Sequence, residues 1–489
     1  MENKKLGVIA LAALVVSAMI GGGIFSLPQN MAQGAGVTAV IVAWVVTGAG
    51  MFFLANTFRI LSEARPEATT GIYSYARMGF GRFAGFEMAW SYWLCNIFGN
   101  VGYAVLLMDA FNFFFPGVFT GGNNLWAILG GSVIIWVMNF AVLAGVRQAA
   151  FINMIGTVFK LMPLLIFILV MIAVFRWSCF TTDMNGMETI PADSLKPLGS
   201  MLSQVKSTML VTLWCFIGIE GAVVVSGRAK SPSAVGKATV MGFLCCLAIY
   251  FLLSVLPFGR MYQSELAALK NPSTAPLLRD AVHASWGMVL MNTGVIIAIL
   301  TSWLAFTIMI AQIPFAAALD GTFPNMFRRE NSRGTPSVSL WVSSIVMQLC
   351  MILVYFANNA WNTMLSITGV MILPPYLACT LYLWKLCVRG GIPADCPVKK
   401  GPALFCGVAG SLYSLWMIYA AGIDYMLMAF AFILVGIPFF IIARKQSIRR
   451  AGSNGDQKIF TPGETVGALL IVAVCAAAVI LYATGHLKL

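Results

Sequence analysis

Apolar blocks of about 20 residues recur along the whole chain, and each is long enough to cross a bilayer core of roughly 30 Å as an α-helix. Of the 489 residues, 60% are hydrophobic and only 10% are charged, whereas a soluble globular chain carries about 25% charge. The polar stretches between the blocks do not exceed about 30 residues, so they leave no room for a soluble domain. These features predict an all-α polytopic membrane protein with one membrane domain.

The apolar blocks predict thirteen membrane helices. The predicted spans are 6–31, 37–62, 84–112, 125–146, 150–175, 204–227, 237–258, 285–318, 335–356, 362–386, 403–422, 425–443 and 464–485. A polar, basic stretch at 444–463 precedes the last span, and we interpret it as a cytoplasmic linker. Residues 464–489 therefore look like an extra C-terminal helix added to a twelve-helix unit at 1–443, and we expect their deletion to affect function least.

The basic residues indicate the orientation of the chain, because Lys and Arg collect in the cytoplasmic loops of membrane proteins. If the N-terminus is cytoplasmic, Lys160 lies inside a helix, and seven other basic residues fall in the opposite loops or the C-terminal end. The seven are Arg176, Lys196, Lys206, Arg260, Lys270, Arg279 and Lys488. The other 22 of the 30 lie on the cytoplasmic side. Topology thus explains the net charge of +13, and no nucleic-acid partner is predicted.

The cysteine and histidine content argues against metal or triad chemistry. Most of the 11 cysteines lie inside apolar blocks, and no CxxC pair occurs. The two histidines, His283 and His486, lie near the ends of blocks, so a histidine-based metal site or catalytic triad has little to work with. We therefore predict no cofactor, no metal and no enzymatic activity.

Glycine clusters interrupt the first and the sixth predicted helices near the middle of the membrane. They are Gly21-Gly22-Gly23 and the stretch from Gly218 to Gly221. Paired interrupted helices in two halves are typical of inverted-repeat transporters with a midplane site. Because five helices separate the breaks, the halves should have opposite orientations. The predicted units are the repeats 6–175 and 204–386 and two following helices at 403–443.

The glycine run has two readings. Each glycine costs about 1 kcal/mol of helix propensity relative to alanine, so some interaction should compensate for it. The glycines could allow close helix packing, or they could form an unwound turn whose amides bind a carboxylate. Three consecutive glycines favour unwinding, because packing motifs space them four apart.

Two charged residues lie inside apolar runs. Glu220 costs roughly 2.5–3.5 kcal/mol there, so it is either a paired structural residue or a protonatable residue that gates or couples transport. Lys160 either extends to the membrane interface or acts as a fixed or titrating cation beside the broken first helix, which would make a sodium ion unnecessary there.

Uncharged residues complete the candidate site. Trp214, beside the sixth-helix break, either packs or stacks on a cation. Asn96 and Asn100 are four apart on one face of the third helix. They either bond neighbouring helices or line a cavity and contact a substrate side chain.

The same stretches carry a family resemblance. GGGIFSLPQNMA, SYWLCNIFGN, VTLWCFIGIEGAVVVSGRA with GKAT, and LDGTFP followed by GTPSVSLW resemble the amino acid/polyamine/organocation superfamily. The chain is most similar to the basic amino acid/polyamine antiporters, especially their arginine/ornithine branch. The resemblance covers nearly the whole chain.

This resemblance implies a LeuT-like, five-plus-five inverted repeat with unwound first and sixth helices, followed by two further helices. It implies alternating-access exchange of a cationic amino acid, arginine before others, for ornithine or agmatine. It also implies a bacterial inner membrane, with small cationic amino acids or amines and lipid as partners and a homodimer as an open option.

The resemblance also implies roles for particular residues. Ile20 to Ile24, around Gly21, Gly22 and Gly23, would hold the substrate carboxylate, and the backbone at Trp214, Cys215 and Ile217 would receive the α-amino group. Trp214 would stack on the guanidinium, beside a pocket formed by Cys95, Asn96, Asn100 and Thr368. Phe306 occupies an eighth-helix position where the arginine/agmatine relatives carry tryptophan. Glu220 matches an acidic gating residue, and Lys160 resembles a lysine that takes the place of a coupling sodium.

Other functions are weaker alternatives. A channel would need rings of charge or a carbonyl filter motif, which the sequence lacks, and a membrane enzyme would need a nucleophile–base pair or a metal cluster. A transporter-like sensor would lack a sizeable output domain. Proton-coupled uptake of a basic amino acid stays open beside exchange, because the sequence does not separate the two.

Overall fold

The first membrane helix is broken at its glycine run. The structure is a computed structural model that describes residues 7–68, 71–186, 198–220, 232–393, 396–450 and 458–484. Helix α1 (Val8–Met19) ends at Ile20, which is extended (φ −81°, ψ 95°). A 3-10 turn over Gly22–Ser26 leads into α2 (Leu27–Ala32), and the two halves are bent by 54°. The predicted break of this helix is confirmed.

The remaining regular elements of the described chain are helices as well. They are α3 (Val37–Ala64), α4 (Ile72–Phe80), α5 (Arg82–Phe114), α6 (Leu125–Ala144), α7 (Val146–Ala173), α8 (Trp177–Thr182), α9 (Met201–Trp214), α10 (Pro232–Val255), α11 (Gln263–Ala268), α12 (Thr274–Val282), α13 (Trp286–Leu319), α14 (Ser337–Leu353), α15 (Ala360–Val388), α16 (Lys400–Ala421), α17 (Ile423–Arg450) and α18 (Pro462–Ala483). Short 3-10 turns connect some of them.

Ten of the described helices are long and apolar enough to cross a membrane, and α1 with α2 forms an eleventh span. The other two predicted spans correspond to α7, whose apolar part is Val158–Ala173, and to α9. The protein is therefore an all-α polytopic membrane protein, as predicted.

The sixth predicted helix ends earlier than its glycines indicated. Helix α9 stops at Trp214, and consecutive turns follow from Cys215 to Glu220. Gly218, with φ of 106°, takes a conformation that only glycine adopts readily. The sequence placed the interruption at Gly218, but the turn bonds begin sooner, with the Phe216 N–H donating to the Leu213 carbonyl. The predicted continuation to residue 227 lies outside the described residues.

The order of helix lengths repeats along the chain. In the first half, α5, α6 and α7 have 33, 20 and 28 residues, and in the second half α13, α14 and α15 have 34, 17 and 29. A nine-residue helix, α4 or α12, precedes each set. These two sets are the third to fifth helices of the two predicted five-helix repeats.

Prolines inside α13 and α15 each have a serine from a neighbouring helix close to the carbonyl that they leave free. Proline leaves the carbonyl four residues earlier without its helical donor. Ser91 of α5 donates to the Met371 carbonyl, which Pro375 leaves free, at 2.6 Å. The Ser343 hydroxyl of α14 lies 3.2 Å from the Ile310 carbonyl oxygen, four residues before Pro314, and 2.8 Å from the Ser339 carbonyl oxygen of its own helix. The carbonyls that Pro375 and Pro314 leave without a helical donor thus each lie within 3.2 Å of a serine hydroxyl.

The C-terminal segment differs from the predicted linker. Helix α17 continues through Arg450, so the first part of the predicted 444–463 linker is helical. At the start of α18, Glu464 accepts from the N–H of Thr461 at 2.8 Å and from the N–H of Phe83 at 3.0 Å. Phe83 lies in the first turn of α5, where amides have no intrahelical acceptor. Helix α18 thus caps the N-terminus of α5, the helix that carries Cys95, Asn96 and Asn100.

This contact predicts a loss of stability when the Glu464 carboxylate is removed. Replacing Glu464 by Ala removes both bonds, and we expect it to lower the free energy of unfolding by about 1–2 kcal/mol. The measurement is the melting temperature in detergent micelles. Thr465→Ala is the control, because the Thr465 hydroxyl bonds only to the Thr461 carbonyl in the same helix. Equal melting temperatures of the two variants would contradict the stabilising role of the Glu464 hydrogen bonds.

Candidate functional site

A cavity lies where the broken first helix meets the end of α9. Its lining residues are Met19, Cys95, Asn96, Gly99, Tyr103, Trp214, Ile217, Phe306 and Thr368. None of these lining residues carries a charged side chain. The cavity therefore offers aromatic faces and neutral dipoles rather than a fixed countercharge.

The three glycines of the break are both unwound and tightly packed. A Cβ on Gly21 would meet Tyr103, one on Gly22 would meet Ile299, and one on Gly23 would meet Trp214, in each case closer than 3.0 Å. Packing and unwinding, which the sequence presented as alternatives, therefore occur together. The Gly22 and Gly23 amides lie in the first turn of the 3-10 helix, where helical geometry supplies no acceptor. They are suited to bind an anion.

Side chains from other helices satisfy the carbonyls at the end of α1. Lys160 of α7 donates to the Ser17 carbonyl at 2.8 Å, and Tyr250 of α10 donates to the Met19 carbonyl at 2.9 Å. Ser302 of α13 lies 3.5 Å from the Ile20 carbonyl oxygen and 3.4 Å from the Lys160 ammonium. Because Lys160 is fully buried, the alternative that it reaches the membrane interface is wrong. Its charge lies at the negative end of a helix dipole.

The two helix breaks touch each other. A Cβ on Gly218 would lie 3.1 Å from the Ala18 carbonyl oxygen, so the turn after α9 packs on the end of α1. The Trp214 carbonyl accepts from the Ile217 N–H at 3.2 Å, and a carbonyl has a second lone pair for another donor. Residues at the ends of both breaks, namely Met19, Trp214 and Ile217, therefore line one cavity.

Three donors hold the buried carboxylate of Glu220. Tyr92 of α5 donates to Oε1 at 2.8 Å, Tyr376 of α15 donates to Oε2 at 2.9 Å, and the Gly218 amide donates to Oε2 at 3.2 Å. Glu220 is thus paired with neutral groups, and it ties the α9 break to two long helices. Sequence reasoning missed both tyrosines, although Tyr92 lies one turn before Asn96 and Tyr376 directly follows Pro375.

Two polar atoms at the cavity have no protein partner. Asn96 donates through Nδ2 to the Tyr92 carbonyl at 2.6 Å, whereas its Oδ1 and the Thr368 hydroxyl are buried without a hydrogen bond. Buried polar atoms are usually paired, so these two are available to a polar ligand. Both amide atoms of Asn100 also lack a partner, but Asn100 does not line the cavity.

Aromatic rings form one side of the cavity. The centroids of Tyr103 and Trp214 are 6.2 Å apart, and those of Tyr103 and Phe306 are 6.0 Å apart, both in edge-to-face geometry. Trp361 packs against Trp214 with centroids 5.4 Å apart. The sequence identified Trp214 and Phe306 but missed Tyr103, which lies seven residues after Asn96, and Trp361, which lies seven before Thr368.

The structure brings most of the predicted site residues together. Those that line the cavity are Cys95, Asn96, Trp214, Ile217, Phe306 and Thr368. Cys215 and Ile20 to Ile24 are buried in the two breaks beside it. Glu220 and Lys160 do not line the cavity. Glu220 accepts from the Gly218 amide of one break, and Lys160 donates to the Ser17 carbonyl beside the other.

The fold and the cavity define a multi-pass membrane transporter with its candidate site at two helix breaks. Residues 6–451 match the amino acid permease family, and the chain belongs to this family.

Curated relatives span the full chain. Proteins named arginine/agmatine antiporter from Chlamydia abortus and Chlamydia pneumoniae are each 55% identical over 488 residues, covering 100% of this chain and 99% of the relative. A putative amino-acid transporter of Clostridium perfringens (strain 13 / Type A) is 55% identical over 472 residues, covering 96% and 97%.

The glycine turn can be tested by adding one methyl group. We expect Gly23→Ala to lower amino acid transport, because its Cβ would overlap Trp214 and Trp361 and overpacking costs about 1–3 kcal/mol. The measurement is uptake of labelled amino acid into proteoliposomes. Gly401→Ala is the matched control, since no atom lies within 4 Å of its added Cβ. If Gly23→Ala transported amino acid at the wild-type rate, the turn would be able to accommodate the added methyl group.

Proposed function

We propose that the protein exchanges arginine for agmatine across a bacterial inner membrane by alternating access. The observation that carries this proposal is the neutral, aromatic-lined cavity at the junction of two helix breaks. Such a cavity suits a molecule with a polar head and a cationic tail. The name of the Chlamydia relatives, arginine/agmatine antiporter, supports this substrate pair.

In this proposal the amides of Gly22 and Gly23 bind the arginine carboxylate, with Ile20 and Ile24 flanking the turn. The positive end of the second half-helix favours an anion there. The α-amino group donates to backbone carbonyls at Trp214, Cys215 and Ile217. Agmatine keeps an amino group and the guanidinium, so it can use the rest of the site.

The guanidinium stacks on Trp214, with Phe306 on the same aromatic side. Cation–π contacts contribute about 0.5–2 kcal/mol and need no fixed negative charge. The Asn96 Oδ1 and Thr368 hydroxyl accept from its N–H groups, which would pair both free atoms. Cys95 forms part of the cavity wall beside these two atoms. Asn100, one turn further along α5, supports this wall.

The chemistry of the empty site favours exchange over net uptake. Without substrate, the amides and carbonyls of the breaks would stay unpaired in a dry cavity, which costs several kcal/mol. The empty protein therefore changes sides slowly, whereas either substrate lets it move quickly. Lys160 supplies a fixed or titrating cation at the end of α1, so that no sodium ion is required there.

We propose the orientation of the chain in the membrane from the distribution of its basic residues. The N-terminus and the 444–463 region lie in the cytoplasm, where most basic residues collect. Residues 1–443 form the transport unit, with repeats at 6–175 and 204–386, two helices at 403–443 and the extra helix at 464–489. The partners are substrates and lipid, without nucleic acid, and a homodimer is the assembly to test first, by mass measurement in detergent.

The exchange itself can be tested in liposomes that contain purified protein. We expect labelled arginine to enter vesicles preloaded with agmatine and not to enter empty vesicles. Vesicles preloaded with ornithine test the second substrate pair. Equal uptake into empty vesicles under a proton gradient would overturn exchange in favour of a proton-coupled permease for arginine or lysine.

We also propose that Glu220 gates transport by gaining and losing a proton. The titratable groups that face it are Tyr92 and Cys95 of α5 and Tyr376 and Cys379 of α15. Each of these is neutral when protonated, so the charge of Glu220 dominates its surroundings. Its protonation would weaken the two tyrosine bonds that hold the α9 break.

Glu220→Gln removes this charge and keeps the size of the side chain. We expect exchange by Glu220→Gln to lose its dependence on pH, measured as initial rates of arginine–agmatine exchange from pH 4.5 to 8. Glu63→Gln is the control, because Glu63 pairs with Arg59 at 3.6 Å on the same helix, away from the cavity. A pH profile identical to that of the wild type would exclude the gating role.

A further inference from the structure

Tyr103 connects the aromatic side of the cavity with the glycine turn. Its ring lies edge-to-face with Trp214 and with Phe306. Its hydroxyl oxygen occupies the space that a Cβ on Gly21 would need. The phenol therefore crosses from the proposed guanidinium end of the cavity to the proposed carboxylate end.

The hydroxyl is a neutral donor at the position where the proposed function puts a negative charge. A phenol O–H bonded to a carboxylate makes a short, charge-assisted hydrogen bond. The Gly22 and Gly23 amides supply two donors, and a carboxylate has about four acceptor positions. The turn thus leaves acceptor positions free, and Tyr103 is the cavity-lining hydroxyl that reaches it.

We infer that Tyr103 is a specificity-determining residue whose hydroxyl donates to the carboxylate of the amino acid substrate. This inference rests on the proposed function, in which one site binds an amino acid and its decarboxylated amine in turn. The two substrates share the guanidinium and the amino group and differ only in the carboxylate. A donor that serves only the carboxylate changes the affinity for one substrate and not for the other.

The ring and the hydroxyl can be separated by mutation. Tyr103→Phe keeps the ring that packs on Trp214 and Phe306, and it removes only the oxygen beside Gly21. A hydrogen bond to a charged group contributes enough to change affinity about 10- to 100-fold. Agmatine binding then reports whether the variant is folded, because agmatine uses the same cavity without this bond.

The test is equilibrium binding of arginine and of agmatine to purified full-length protein. We expect Tyr103→Phe to weaken arginine binding about 10-fold or more and to change agmatine binding less than about twofold. Tyr413→Phe is the matched control. Tyr413 is also buried and packs against a glycine, Gly50, but it lies on α16 outside the cavity.

Each outcome decides the inference. Equal weakening of both ligands would mean that Tyr103 only packs, and unchanged arginine binding would mean that its hydroxyl does not touch the carboxylate. Either result overturns the inference while leaving the proposed exchange intact. If the wild-type protein binds neither ligand, the proposed function fails, and the inference falls with it.

Discussion

The requirement that backbone groups in a membrane find partners governs the centre of this protein. Breaking a helix at Ile20 releases carbonyls on one side and amides on the other, in a region where unpaired groups cost several kcal/mol. The carbonyls of Ser17 and Met19 are bonded by Lys160 and Tyr250. The following turn, Gly22–Ser26, is buried, and a Cβ on Gly23 would meet Trp214, which lines the cavity. Side chains of neighbouring helices thus pair the carbonyl side of the break, and the proposed function assigns the amide side to the substrate carboxylate.

The pairing of the break by side chains explains why the two buried charged residues, Lys160 and Glu220, lie outside the cavity lining. Lys160 and Glu220 each fix the backbone of one break, and each is buried among partners from other helices. A fixed charge in the cavity wall would hold an oppositely charged group too tightly for rapid release. Aromatic faces and amide dipoles bind more weakly and allow a substrate to leave on either side.

Much of this architecture could be read from the sequence, because membrane spans and glycine clusters leave strong local signals. The break at Gly21 to Gly23 and the buried charges followed from the cost of such residues in lipid. The end of α9 at Trp214 did not follow, since turn bonds that precede Gly218 leave no compositional mark. Tyr92, Tyr103, Trp361 and Tyr376 were missed for a related reason. Aromatic residues are common in membrane helices, and only the assembled fold shows which ones face the breaks.

The contact between Glu464 and Phe83 has a consequence for biosynthesis. The donor and the acceptor are 381 residues apart in sequence, so the acceptor is synthesised long after the donor. At a synthesis rate of about 5–20 residues per second, the first turn of α5 waits roughly 20–75 s for this partner. A chain truncated before α18 would insert all the helices that form the cavity and still lack this bond. The helix that carries four of the nine residues lining the cavity therefore receives this cap only after α18 has been synthesised.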